Sequence, residues 1–199
     1  MLKNRVLSLF SFLWLILCIS FVFAIHSVFL SGSNSYEFWY SVALLSGKTA
    51  LIFFAITLSP GIFKRFSIRH KILALIMIFR RQFGITMFLF AAFHAFIIGI
   101  LPKISTGHPF KYATFELFGL SALILLFFLF VTSNNFSQHL LGKWWYMLHR
   151  LVYVIMWLIL FHTALQRISF WTILASVLVI SEMSGIIYSK FRQKTSQLK

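Results

Sequence analysis

The sequence predicts an all-α integral membrane protein, a bundle of six transmembrane helices with both termini in the cytoplasm. Three observations carry that expectation. Hydrophobic residues make up 60% of the 199, with 26 Phe against only 3 acidic residues, too little polar surface to cover a water-soluble globule. Apolar runs recur at lengths of about 20 residues, enough for a helix to cross a hydrocarbon core of about 30 Å. Basic residues fall mostly on alternate connections between those runs.

The spans run over 6–30, 44–63, 83–101, 112–131, 147–165 and 168–188. Each must be a helix, because an open strand would leave its backbone amides unpaired in lipid. The first span follows Lys3 and Arg5, as a cleavable signal would. Its apolar run of about 24 residues exceeds the roughly 7–15 of a signal core, and no A-x-A site follows, so a retained helix is expected. The piece HKILALIMIF at 70–79 is bracketed by Arg69, Lys71, Arg80 and Arg81. It is either an interfacial helix on the inner leaflet or an extension of the third span. The longest connections, 64–81, 102–111 and 133–145, are too short for an independent core, so 1–199 reads as one domain. There is no internal repeat. The single Cys18 lies inside the first span, where it is expected to be a small packing residue.

A net charge of +15 invites a nucleic-acid reading, but the positions of the charges speak for topology. With the N-terminus inside, the inner connections hold 14 of the 18 Lys and Arg, and the outer side only Lys48, Lys103, Lys111 and Arg167. That asymmetry fits a positive-inside membrane protein whose basic residues meet anionic lipid, with no nucleic-acid partner.

Seven histidines remain to be sorted. His70, His108 and His139 fall in connections, and His26 lies near the outer end of the first span, where a ring can reach headgroups. His94, in the third span, and His162, in the fifth, share a depth about 5–10 Å below the outer edge, at about 1.5 Å of rise per residue. His149, thirteen residues before His162, lies about 20 Å deeper, at the inner edge near the level of Arg81 and Gln82. Thirteen residues at about 100° each leave His149 and His162 roughly 140° apart on an ideal helix, so a local bulge is needed for them to face one groove.

Two histidines at one depth on different helices can hold a heme between them, and Ala91, Ala92 and Ala95 are small enough to admit a flat macrocycle. Hydrogen-bonded packing and a metal or proton path stay open beside heme. Zinc is the weaker metal, since a closed site takes four ligands and Cys and acidic residues are too few and scattered. Glu116 and Glu182 are isolated from each other, which leaves no paired-carboxylate chemistry, and no Gly-rich phosphate loop occurs.

Three stretches together resemble a known family. RRQFGITMFLFAAFH (80–94), TSNNFSQHLLGKWWYMLHRLVY (132–153) and His162 look like the YedZ/MsrQ group of ferric reductase-like transmembrane domains, and SGKTAL (46–51) is similar to that group's Gly/Ala segment opening its second helix. The resemblance covers about 46–165. It implies a heme b protein of the bacterial inner membrane, with His94, His149 and His162 at the family's heme-histidine positions. His94 and His162 would be axial ligands of an outer heme iron, and His149 would serve a second heme or stand beside a flavin or quinone.

It further implies a subunit without its own substrate site, passing electrons from a quinol or a cytoplasmic flavin reductase to a periplasmic molybdopterin-dependent methionine sulfoxide reductase. Flavin binding, as FMN, has been associated with the group. The larger family carries two histidines on its third helix, whereas Arg80 stands fourteen residues before His94 here, which fits the YedZ/MsrQ pattern. Trp144, Trp145 and Tyr146 are candidates to stack on a cofactor ring, and Arg80, Arg81 and Arg150 to hold heme propionates or a flavin phosphate. A stand-alone ferric or cupric reductase and a non-redox permease are the alternative functions.

Overall fold

Lipid tails are as apolar as the helices they surround, so a membrane bundle is held by close approach of small residues and by hydrogen bonds between helices. Both devices are present in this chain. The computed structural model describes residues 2–31, 33–105 and 111–197, and among them the secondary structure is helical with no strand. In chain order the helices are α1 (Leu2–Ser31), α2 (Ser33–Arg65), α3 (Lys71–Ile78), α4 (Arg80–His94), α5 (Leu101–Ser105), α6 (Thr114–Val131), α7 (Asn135–Leu141), α8 (Lys143–His149), α9 (Val152–Gln166) and α10 (Phe170–Gln197). A π-helical stretch, Ala95–Ile100, joins α4 to α5. Six of the described helical runs are long and apolar enough to cross a membrane, so the chain is a multi-pass membrane protein.

The most extensive packing joins α2 to α4 and α6 to α9, with α10 against both α2 and α9. On α2, Ala43, Ser46, Gly47 and Ala50 recur at helical spacing, and Ala43, Ser46 and Ala50 are buried. Ser46 donates to the Phe90 carbonyl of α4 at 2.7 Å. The main apolar core joins Leu51, Phe54 and Leu58 of α2 with Met87 and Phe88 of α4, Leu126 of α6, Ile155 and Met156 of α9 and Leu178 of α10. A smaller cluster ties Ala24 of α1 to Ala43, Phe93, Ile97 and Leu101. α1 is otherwise a peripheral helix. Cys18 is exposed on it, which corrects the packing role expected for that residue.

Helix ends depart from expectation where hydropathy has no say. α2 begins eleven residues before the apolar run at 44, because its polar first turns are anchored to α1 by Trp39, whose indole donates to Ser27 Oγ at 2.6 Å. The 70–79 piece is a separate short helix, α3, exposed throughout apart from partly buried Leu73 and Ile76 and capped by His70, whose Nδ1 accepts from Ile72 N at 3.2 Å. His139 lies in α7 rather than in a loop, and His108 lies outside the described residues. α7 ends at Gly142, whose φ of 50° suits a residue without Cβ.

The fifth span is two helices. Between α8 and α9 the amides of Arg150, Leu151 and Tyr153 bond three residues back, to Met147, Leu148 and Arg150. The local device is thus a tight 3₁₀-type turn rather than a bulge. The π-helical bulge lies instead on the third span, directly after His94.

Candidate functional site

A histidine ring next to a helix backbone needs a gap for its width and an acceptor for its Nδ1–H. α2 and α6 each provide both, at the same spacing. His94 Nδ1 lies 2.9 Å from the Ala43 carbonyl, and a Cβ added to Gly47, one turn on, would fall 2.6 Å from that nitrogen. His162 Nδ1 lies 2.8 Å from the Phe115 carbonyl, and a Cβ on Gly119, again one turn on, would fall 2.7 Å from it. Real Cβ atoms essentially never come so close, so glycine is required at both positions. A carbonyl can only accept, so each ring carries a proton on Nδ1, which leaves Nε2 as the nitrogen that could ligate a metal.

The two rings face each other across the bundle with centroids 6.4 Å apart and planes crossed at 82°. Two metal–nitrogen bonds of about 2 Å, plus about 1 Å from each nitrogen to its ring centre, span about 6 Å between ring centres. The spacing of the pair therefore fits one iron held between them, and Nε2 of each ring would be the donor. Among the described residues no three His, Cys, Asp or Glu side chains come close enough to share a metal ion, so the pair would supply two protein ligands and a macrocycle the rest.

His149 belongs to a different environment. It ends α8, its Nδ1 lies 3.0 Å from the Trp145 carbonyl, and its ring stacks on Trp145 with centroids 3.9 Å apart. Its Nε2 is buried with no partner among the described residues. Arg80 is a charged neighbour of both His149 and Tyr153. Of the three aromatic candidates, Trp145 is occupied by His149 and by the Thr132 carbonyl, which its indole meets at 2.8 Å, while Trp144 and Tyr146 are exposed. Arg81 donates to Asn135 Oδ1, and Arg150 is exposed.

A second buried acceptor without a partner among the described residues is Gln82 Oε1. Gln82 lines a cavity of about 390 Å³ together with Leu7, Met77, Ile78, Arg81 and Asn135. Sequence reasoning missed Gln82, as it missed Gly47 and Gly119. Nothing in one sequence says which helix faces a histidine. Both carboxylates on the inner helices are engaged: Glu182, almost fully buried, pairs with Arg65, which also donates to Tyr153 Oη at 2.8 Å, and Glu116 meets Lys103 at 3.0 Å.

Six candidate spans around a crossed pair of half-buried histidines define a multi-pass membrane protein. Residues 46–160 match the family model of the ferric reductase like transmembrane component, and the chain belongs to that family. Its members commonly bind heme, and membrane electron transfer is their class of function. The match includes His94 and His149 and stops two residues short of His162. No solved structure matches the chain.

Proposed function

We propose that the protein is a heme b electron-transfer subunit of a bacterial inner membrane. It takes electrons from quinol at the inner face and delivers them to a periplasmic molybdopterin-dependent methionine sulfoxide reductase. The observation that carries this reading is the matched seating of His94 and His162, each fixed through Nδ1, with ring centroids 6.4 Å apart. When bound there, heme supplies a one-electron carrier. The chain's own part is to hold both imidazoles oriented through their Nδ1 bonds, so that little reorganises when the charge changes.

Quinol is favoured over a flavin reductase as donor by the cavity around Gln82. A hydroquinone brings hydroxyls that suit the polar side chains of Arg81, Gln82 and Asn135, and an apolar tail that suits Leu7, Met77 and Ile78. Its oxidation breaks two O–H bonds, releasing two protons to the inner aqueous face and two electrons toward the bundle. The unpaired Nε2 of His149, at the same end of the spans, offers a second acceptor on the inward route. Flavin as FMN is retained as the alternative donor.

A reduced-minus-oxidised spectrum of membranes containing the protein tests the reading. A sharp b-type band is expected. Its absence after heme-supplemented expression would exclude a heme subunit and leave a non-redox membrane protein.

A further inference from the structure

The ends of α2 and α10 border an open cavity of about 440 Å³ lined by Gly61, Lys64, Arg65, Ser67, Ser189 and Arg192. It lies apart from the histidine pair and, on the α10 side, beyond the residues that match the family. We propose that this cavity binds a phosphate group, its source either the headgroup of an anionic phospholipid or a soluble phosphomonoester.

One face of α10 builds the site at helical spacing. Glu182 pairs with Arg65, Gly185 lets α2 approach so closely that a Cβ would fall 3.3 Å from Arg65 Cβ, and Ser189 and Arg192 continue the same stripe into the cavity. The pairing leaves an excess of positive charge. Arg65 is balanced by Glu182, whereas neither Lys64 nor Arg192 has a carboxylate partner among the described residues. A tetrahedral group with several acceptor oxygens is the complement of an ammonium, a guanidinium and hydroxyls converging from two helices. Basic pockets between spans on the cytoplasmic side are where lipid headgroups dock.

Ser67 supplies a second, independent observation. The amide of Ile68 bonds the Phe63 carbonyl and that of Ser67 bonds the Lys64 carbonyl, the pattern that closes a helix with a left-handed residue, here Ser67 at φ 62°. Glycine is the ordinary occupant of that position, because a Cβ there costs free energy. The chain keeps a serine instead, and its hydroxyl accepts from Arg192, which steers the guanidinium along the cavity wall and leaves the Ser67 proton free to donate. Ser67 thus adds a hydroxyl, held by Arg192, to the wall of the cavity. Phe63 and Ile187, exposed on the same two helix ends, give acyl chains an apolar surface next to it.

The test is native mass spectrometry of the detergent-purified full chain with added phosphatidylglycerol or phosphatidylcholine, alongside fluorescence titration with flavin mononucleotide. Lys64→Gln/Arg192→Gln is expected to weaken phosphatidylglycerol retention by about tenfold or more, with phosphatidylcholine unchanged. Lys48→Gln/Arg167→Gln, at the other end of the spans, should change neither. Ser67→Gly separates binding from folding: it relieves the left-handed serine, so Tm should hold or rise while retention falls. If flavin mononucleotide binding falls in these variants and phosphatidylglycerol retention does not, the phosphate comes from a soluble ligand. If neither probe responds to the substitutions in the folded variants, the site does not bind phosphate and the proposal is overturned.

Discussion

A single methyl group decides whether His94 can keep its place, since a Cβ on Gly47 would overlap the imidazole at 2.6 Å. Gly47→Ala and Gly119→Ala should each displace a ring or break its Nδ1 bond, lowering heme content or shifting the heme potential and low-spin signal, at an overpacking cost of about 1–3 kcal/mol. Gly61 and Gly84 are built-in controls, because a Cβ at either meets nothing within 4 Å. Gly61→Ala and Gly84→Ala should leave the spectrum untouched, and equal effects at all four positions would reduce the glycines to helix-propensity effects. His94→Ala and His162→Ala should abolish the same low-spin signal, since either loss opens the iron. Normal bis-histidine spectra in both variants would show that the pairing is wrong. The shared depth of the histidines was legible by counting residues from the span ends. Their glycine seats were not, because depth says nothing about which face of which helix is opposite.

At the scale of elements, the tight turn between α8 and α9 gives His149 its own short helix, stacked on Trp145 and independent of the α9 register that aims His162. His149→Ala should therefore slow reduction by the physiological donor while leaving dithionite reduction and the outer ligation intact. Unchanged donor-driven rates would demote His149 to a packing residue. α10 is fastened by the Glu182–Arg65 pair, with Glu182 at 2% exposure. Glu182→Leu leaves the Arg65 charge without a carboxylate and should cost about 3 kcal/mol, read as lower thermal stability in detergent, with partial recovery in Arg65→Met/Glu182→Leu. The six spans were legible because hydropathy reports the lipid-crossing part of each helix. The eleven extra residues of α2, the π-helical stretch and the 3₁₀-type turn were not, since they depend on partners such as Trp39–Ser27 and on backbone bonding that apolar periodicity does not record.

For the whole molecule, the basic residues and six spans together predict that a reporter fused to the C-terminus is active only in the cytoplasm. Periplasmic activity would invert the electron path. Viewed complete, the bundle also holds something that sequence comparison of its halves does not reveal. α2 with α4, and α6 with α9, are each a glycine-bearing helix packed against a helix carrying its histidine at or near its end. The acceptor carbonyl is one turn before the glycine in both, and the two distances differ by 0.1 Å, 2.9 against 2.8. The two seats thus share one local geometry, and a group held between the imidazoles would meet the same kind of ligand from either side. Equivalence of this kind makes the two seats interchangeable: with one imidazole cut back to glycine, free imidazole from solution should restore the low-spin spectrum equally well at position 94 or 162.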